Sequence, residues 1–278
     1  MMDLNLIPAD YAALLATGMI AGYIGGLLGL GGGVIMVPVL FELLPHVIGP
    51  HPQTAQVAVA TSLGCVFFTS VSSAHAHHGK RNIDWRLAAL AAPMSAAGAF
   101  IVTRFALRIG EDSLKIAFGI FLAAMAVRLW LFDSARTASD DKPVRGVTQF
   151  GKGAVIGILI GLVGGLFGIG GGSLAVPAFV LLMHKPVHRA VGTSSVVGAA
   201  SGLVGTAGYL TAVPSQPVPG GIGIVIPGLV ILLAVASIFF AQLGARHATR
   251  MEPAKLRRTF AFALCLMGFF VVYRTVTG

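Results

Sequence analysis

Residues 22–40 read GYIGGLLGLGGGVIMVPVL, and residues 161–179 read GLVGGLFGIGGGSLAVPAF. Ten of the nineteen aligned positions are identical: Gly22/Gly161, Gly25/Gly164, Gly26/Gly165, Leu27/Leu166, Gly29/Gly168, the triplets Gly31–Gly33 and Gly170–Gly172, Val37/Val176 and Pro38/Pro177. So many glycines and a proline in one register mark an internal repeat. The two copies continue outward. Ala60-Thr61-Ser62 answers Gly192-Thr193-Ser194, Arg104 and Arg108 answer Arg246 and Arg250, and Leu114-Lys115 answers Leu256-Arg257. The chain therefore divides into a first repeat over 1–135, a charged linker over 136–150 and a second repeat over 151–278.

The surroundings of both repeats follow from charge. Of 278 residues only 10% are charged and 56% are hydrophobic, against about 25% charged in an ordinary soluble domain. So few charges cannot cover a soluble protein of this size. No Asp, Glu, Lys or Arg occurs in 11–41, 43–79, 153–184 or 190–245. A membrane span needs about 20 apolar residues, so these runs predict an all-α polytopic membrane protein. A transmembrane barrel would alternate in short segments instead. The net charge of +9 sits between the runs. There it reads as a topology signal and contact with anionic lipid, not as a nucleic-acid surface. Met1-Met2-Asp3 and Asp10 give no basic n-region, so a cleaved signal peptide is not expected. Cys65 and Cys265 lie within apolar runs and offer neither a disulfide framework nor metal spacing. No metal and no cofactor are expected, and oligomeric state has no signal.

Each repeat holds five apolar elements, about 11–30, 34–47, 54–78, 85–104 and 113–132, then 152–169, 173–184, 188–210, 223–245 and 256–275. That is 8–10 membrane helices, because the second element of each repeat is too short to span the ~30 Å hydrocarbon core. Each repeat reads as a Gly-broken hairpin followed by three transmembrane helices. His78–Arg86, Asp133–Lys152, Lys185–Arg189 and Arg246–Arg258 are basic, whereas Pro45–Gln53 and Thr211–Gly223 carry no Lys or Arg. Placing the basic set in the cytoplasm puts both termini outside and gives the repeats opposite topology. The Arg104–Lys115 stretch, assigned outside, runs against the rule, although Glu111 and Asp112 partly offset it. Opposed repeats with matched helix breaks are a way to build a transporter that binds near the midplane.

The glycine triplets are the first candidate site: Gly31, Gly32, Gly33 and Gly170, Gly171, Gly172. Glycine costs about 1 kcal/mol relative to Ala in a helix interior, so three in a row predict an unwound segment. Such backbone must be buried in protein or line a cavity, and the helix N-terminus that follows favours an anion. Pro38 and Pro177 suit the first turn of that helix. The spaced glycines Gly18/Gly22/Gly26 and Gly161/Gly165 suit close helix packing. Neither triplet completes a dinucleotide or P-loop motif. Thr61, Ser62, Thr193, Ser194 and Ser195 are the second candidate set. Two readings stand for their hydroxyls: donation to an oxyanion, or bonding back to an i−4 carbonyl. Cys65, one turn from Thr61, is expected to share its pocket. His75, Glu42, Arg104 and Arg246 are candidates for substrate contact or coupling, against interfacial roles for each.

The doubled motif, GGLLGLGGGVIMVPVL and GGLFGIGGGSLAVPAFV, followed by ATS and GTS, resembles the sulfite exporter TauE/SafE family, also called the four-toluene-sulfonate uptake permease family. The segment Asn82-Ile83-Asp84-Trp85-Arg86 is similar to family members too, and the resemblance spans almost the whole chain. It implies an inner-membrane permease for small anions, often sulfite or organosulfonates, with about eight helices.

The residues and the resemblance together lead us to expect a secondary transporter of a small sulfur oxyanion working by alternating access, with proton coupling open. A carrier for another small carboxylate or inorganic anion is the alternative. An enzyme would need converging acids, His or Cys, yet Glu42, Cys65 and His75 lie in one repeat only. A channel or metal-cation carrier would need intramembrane carboxylates, and only Glu42 is available.

Overall fold

The computed structural model describes residues 7–29, 31–131, 147–248 and 250–277. Most of the expected linker, 136–146, lies outside the described residues. The described residues form ten helices in order: α1 (Pro8–Leu28), α2 (Gly33–Ile48), α3 (Thr54–His78), α4 (Trp85–Ala106), α5 (Glu111–Leu131), α6 (Val147–Leu166), α7 (Gly172–Leu182), α8 (Val187–Leu210), α9 (Pro227–Ala248) and α10 (Pro253–Thr277). The chain is an all-α polytopic membrane protein. Among the described residues five helices, α1, α3, α4, α8 and α9, are long and apolar enough to cross a bilayer.

The glycine triplets make two matched turns. Gly29, Gly31 and Gly32 have φ of 72°, 71° and 80°, and Gly168, Gly170 and Gly171 have φ of 70°, 64° and 74°. A side chain at each would cost roughly 1–2 kcal/mol for the left-handed backbone alone. Gly29 caps α1, while Gly32 and Gly171 stand at the N-caps of α2 and α7. At 16 and 11 residues, α2 and α7 measure about 24 and 17 Å at 1.5 Å per residue. Both fall short of the ~30 Å core.

Two expectations are corrected. Pro38 and Pro177 lie inside α2 and α7, beyond the first turn. A proline there removes an i→i−4 bond, so the carbonyls of Val34 and Ser173 lose their helical donors beside the turns. The ninth element begins at Pro227, not 223. Gly223 has φ of 59°, Ile222 and Val225 form an isolated bridge, and proline at the first helical position starts the helix.

Helices α3 and α8, the third of each repeat, form the antiparallel centre. Gly202 packs on Phe67 and Leu63, Gly198 on Ser70, and Gly192 on His77, while Ser73 and Ser195 share a hydrogen bond of 3.0 Å. Around this pair, α1 packs on α9, α6 on α4, and α5 on α10. Exchanging α1–α5 for α6–α10 maps these neighbours onto themselves. The spaced glycines make the closest approaches. A Cβ on Gly22 would lie 2.6 Å from Ser237 Cα, and one on Gly161 would lie 2.8 Å from Ser95 Cα.

The bundle has two chemically different ends. At one end, His75, Lys80, Arg246 and Arg250 line a shared cavity, and Asp84 pairs with Lys185. At the other end, Gln53 Oε1 accepts from Ser215 N–H at 2.8 Å, His51 Nε2 donates to Gln216 O at 3.2 Å, and Gln56 Nε2 donates to Ile109 O at 2.6 Å. The described residues of the His78–Arg86, Lys185–Arg189 and Arg246–Arg258 stretches thus gather at one end. The uncharged stretches gather at the other, joined there by the Arg104–Lys115 connection.

Candidate functional site

The two glycine turns, far apart in sequence, meet at the centre of the bundle. A Cβ on Gly33 would lie 2.5 Å from Gly168 O and 2.7 Å from Ile169 Cα, so one turn rests directly on the other. Val66 of α3 fills the space between them: its Cγ1 would meet a Cβ on Gly31 at 2.6 Å, and it is also the nearest neighbour of Gly170. In the second repeat the residue in register with Val66 is Gly198, and its Cα faces Gly170 O. The junction therefore has one valine wall and one glycine wall.

Neither α2 nor α7 receives a side-chain cap at its N-terminus. Their first N–H groups and the positive ends of both helix dipoles therefore stand at the junction, an arrangement that favours an anion. Two fully buried hydroxyls at these turns have no hydrogen-bond partner among the described residues: Ser70, whose Oγ would meet a Cβ on Gly31 at 2.6 Å, and Ser173 in the first turn of α7. Sequence reasoning passed over both. Ser70 lies two turns beyond Ser62 on α3, and Ser173 directly follows the second triplet.

The Thr-Ser pairs bind the turns together. Ser62 Oγ donates to Gly168 O at 2.9 Å, and Ser194 Oγ donates to Gly29 O at 2.9 Å. Each repeat thus caps the turn of the other. Thr61 Oγ1 accepts from Ile226 N–H at 3.2 Å, and Thr193 Oγ1 accepts from Asp84 N–H at 3.0 Å. Each threonine therefore holds the start of the fourth helix of the opposite repeat. Thr193 also bonds back to Arg189 O at 2.7 Å, and Ser195 bonds back to Val191 O at 3.1 Å. These hydroxyls build the scaffold of the junction.

The remaining candidates lie elsewhere. Cys65 is buried on the same face as Thr61, but that face packs on α9, and its Sγ donates to Thr61 O at 3.3 Å. Glu42 forms an ion pair with Arg274 beside a small cavity shared with Lys115. His75 and Arg246 line the basic cavity, about 480 Å³ in volume, with Lys80, Gln242 and Arg250. Arg104 stands over the Phe100 ring at 4.9 Å.

One charged constellation escaped the sequence reading. Lys185 is 1% exposed, and its Nζ lies 2.6 Å from Asp84 Oδ2. Burial alone would raise the Asp84 carboxyl. The Lys185 ammonium, the Leu87 N–H and the nearby Arg189 outweigh it and hold the carboxyl below its ordinary value. His77, not His75, is the histidine buried on α3. The available signal was Lys185 itself, a lysine between two apolar helices. Among the described residues no three His, Cys, Asp or Glu side chains gather as metal ligands.

A buried, pseudo-symmetric junction of broken helices in an apolar bundle defines a membrane transporter. The chain belongs to the sulfite exporter TauE/SafE family, whose model matches residues 14–271; its members are transporters, not enzymes. The "Probable membrane transporter protein YunE" of Bacillus subtilis is 30% identical, the alignment covering 96% of this chain and 99% of that one. A "Probable membrane transporter protein MJ0441" of Methanocaldococcus jannaschii is 31% identical over 93% of this chain and 94% of its own. A "Probable membrane transporter protein" of Haemophilus influenzae is 28% identical over 91% and 94%. No solved structure matches.

Proposed function

We propose that the protein is a secondary transporter for a small oxyanion, sulfite or an organosulfonate, bound at the glycine junction. The carrying observation is the meeting of two uncapped helix N-termini, one from each repeat, beside the unpartnered hydroxyls of Ser70 and Ser173. Backbone N–H groups and hydroxyls hold an oxyanion without a formal counter-charge, which suits a region with almost none.

Alternating access follows from two repeats of opposite topology. The antiparallel α3–α8 pair and the exchanged helix neighbours support that reading. The turns and their serine caps form the fixed site, and the two ends open in turn around it. The basic end faces the cytoplasm of a bacterial-type inner membrane, with both termini outside. Protons are the candidate coupling ion.

The test is uptake of radiolabelled sulfite into proteoliposomes holding the purified protein, with and without a pH gradient. Saturable uptake that taurine, sulfoacetate or methanesulfonate competes for supports the reading. Uptake no faster than into protein-free liposomes, for sulfite and for labelled sulfonates alike, overturns it.

A further inference from the structure

Helices α3 and α9 belong to different repeats, yet they run side by side in the same direction. Thr61 Oγ1 accepts from Ile226 N–H near their starts. Thr69 and Ser237 share a hydrogen bond of 2.8 Å midway, and Ser72 Oγ donates to Ile238 O at 2.7 Å further on. The two helices therefore end together. Between their ends lies the cavity of His75, Lys80, Gln242, Arg246 and Arg250, about 480 Å³ in volume. Among the described residues, every ionisable side chain that lines it is basic. A pocket of one sign of charge favours an anion.

The flanks of the cavity say which anion. Toward the middle of the two helices, apolar side chains stand exposed: Phe68 and Val71 on α3 at 41% and 46%, Val235 and Phe239 on α9 at 66% and 63%. These residues share a helix face with the basic ones. Phe68, Val71 and His75 follow at spacings of three and four, and so do Val235, Phe239, Gln242, Arg246 and Arg250. The face that the paired helices present is apolar along the bilayer core and basic at its end. An anionic phospholipid has the matching pattern, with an acyl chain along the helices and a phosphate at their ends. A small free anion would use the cavity alone.

The opposite end of the bundle provides an internal comparison. Arg104 and Arg108 on α4 are the repeat mates of Arg246 and Arg250, so arginines here are common to both repeats and suit ordinary anchoring at an interface. The rest of the pocket is not repeated. Counted from Thr61 and Thr193, Ala207 and Ala212 take the places of His75 and Lys80. Counted from the arginines, Phe100 takes the place of Gln242, and Arg104 packs over its ring at 4.9 Å. His75, Lys80 and Gln242 thus turn a pair of anchors into a pocket at the basic end.

We infer that the cavity between the ends of α3 and α9 binds the phosphate of an anionic phospholipid, with an acyl chain along Phe68, Val71, Val235 and Phe239. Anionic lipid is concentrated in the cytoplasmic leaflet, on the side proposed for the basic end. The site joins one helix of each repeat, and α3 also carries Val66 and Ser70 of the glycine junction. A bound lipid holds the two repeats together at this end. The inference goes beyond the transport reading and stands whatever the substrate is.

The test uses the purified full chain in a neutral detergent with dioleoyl phosphatidylglycerol or dioleoyl phosphatidylcholine, which share their acyl chains. Native mass spectrometry measures lipid binding, and thermal unfolding reads its effect. The wild type should bind phosphatidylglycerol in preference, and its melting temperature should rise more with it than with phosphatidylcholine. Lys80→Gln combined with Arg250→Gln should weaken phosphatidylglycerol binding about tenfold or more, the size expected for two headgroup charges. Arg104→Gln combined with Arg108→Gln removes as many charges at the opposite end and should leave binding near the wild-type value. All four side chains are exposed, so both double variants should fold. Equal binding of the two lipids by the wild type overturns the inference, as does equal weakening in the two double variants. Glycerol 3-phosphate, the headgroup without chains, should give little shift; a shift as large as that of phosphatidylglycerol would make the cavity a site for free phosphate and overturn its assignment to lipid.

Discussion

The hydroxyl of Ser62 donates to the carbonyl oxygen of Gly168 across 2.9 Å, tying the third helix of one repeat to the glycine turn of the other. Ser194 and Gly29 repeat the bond in the opposite sense. Each turn therefore keeps its shape through a residue of the other repeat. Ser62→Ala leaves the buried Gly168 carbonyl without this donor, at a cost of about 1–3 kcal/mol. Ser194→Ala does the same at Gly29. Thermal unfolding in detergent should show both losses, with Ser→Thr partly restoring each. An unchanged melting temperature in both alanine variants would show that the bonds are incidental.

The turns themselves separate backbone strain from crowding. Gly49 and Gly32 share a similar φ, 77° and 80°, but a Cβ on Gly49 meets nothing within 4 Å, whereas one on Gly32 lies 2.5 Å from Ala21 O. Gly49 differs in ψ, −178°, a backbone region populated almost only by glycine, so Gly49→Ala should cost backbone strain of roughly 1–3 kcal/mol and keep transport. Gly32→Val and Gly171→Val should insert in the membrane yet abolish uptake. Wild-type uptake by both valine variants would reduce the triplets to structural turns.

Val66 sets the width of the junction. Val66→Ala opens space beside Gly31 and Gly170, so bulkier sulfonates should compete more strongly for sulfite uptake. Gly198→Val adds a second wall and should narrow the range to the smallest anions. Inhibition constants for a series of alkanesulfonates of rising length measure both shifts. Identical constants across the two variants and the wild type would place the path elsewhere.

The Asp84 carboxyl is held below its ordinary value near 3.9, with Lys185 as its ion-pair partner. A depressed pKa gives stability that is present above the unfolded value and lost as pH falls through the folded one. The Asp84 carboxyl therefore stays ionised from pH 5 to 8, and it is not expected to carry proton coupling in that range. The melting-temperature gap between wild type and Asp84→Asn should stay flat from pH 5.5 to 8 and close only below about pH 4. A gap that shrinks near pH 6 would make Asp84 a physiological proton site.

Most of the fold was legible because the signals are local. Neutral runs between charges marked ten apolar elements, read as 8–10 membrane helices, and glycine triplets marked both breaks. The start of α9 was missed because a glycine turn and a bridge at Ile222–Val225 keep apolar residues out of the helix. The site was legible only in part. Glycine's need for left-handed backbone shows in sequence, so the turns were found. The partners of Thr61, Ser62, Thr193 and Ser194 were not, since each lies in the other repeat and depends on how the repeats interlock. Asp84 and Lys185 escaped for the same reason: each looked like an ordinary loop charge until the fold brought them to 2.6 Å.

Selenite, the selenium homologue of sulfite, gives the most direct test of the central claim, because its anomalous scattering locates the anion without ambiguity. In crystals of the wild type grown with selenite, the account predicts a selenium peak at the glycine junction, within hydrogen-bond reach of the first N–H groups of α2 and α7 and of the Ser70 or Ser173 hydroxyl. Selenium peaks confined to the protein surface at saturating selenite, with none at the junction, would contradict it.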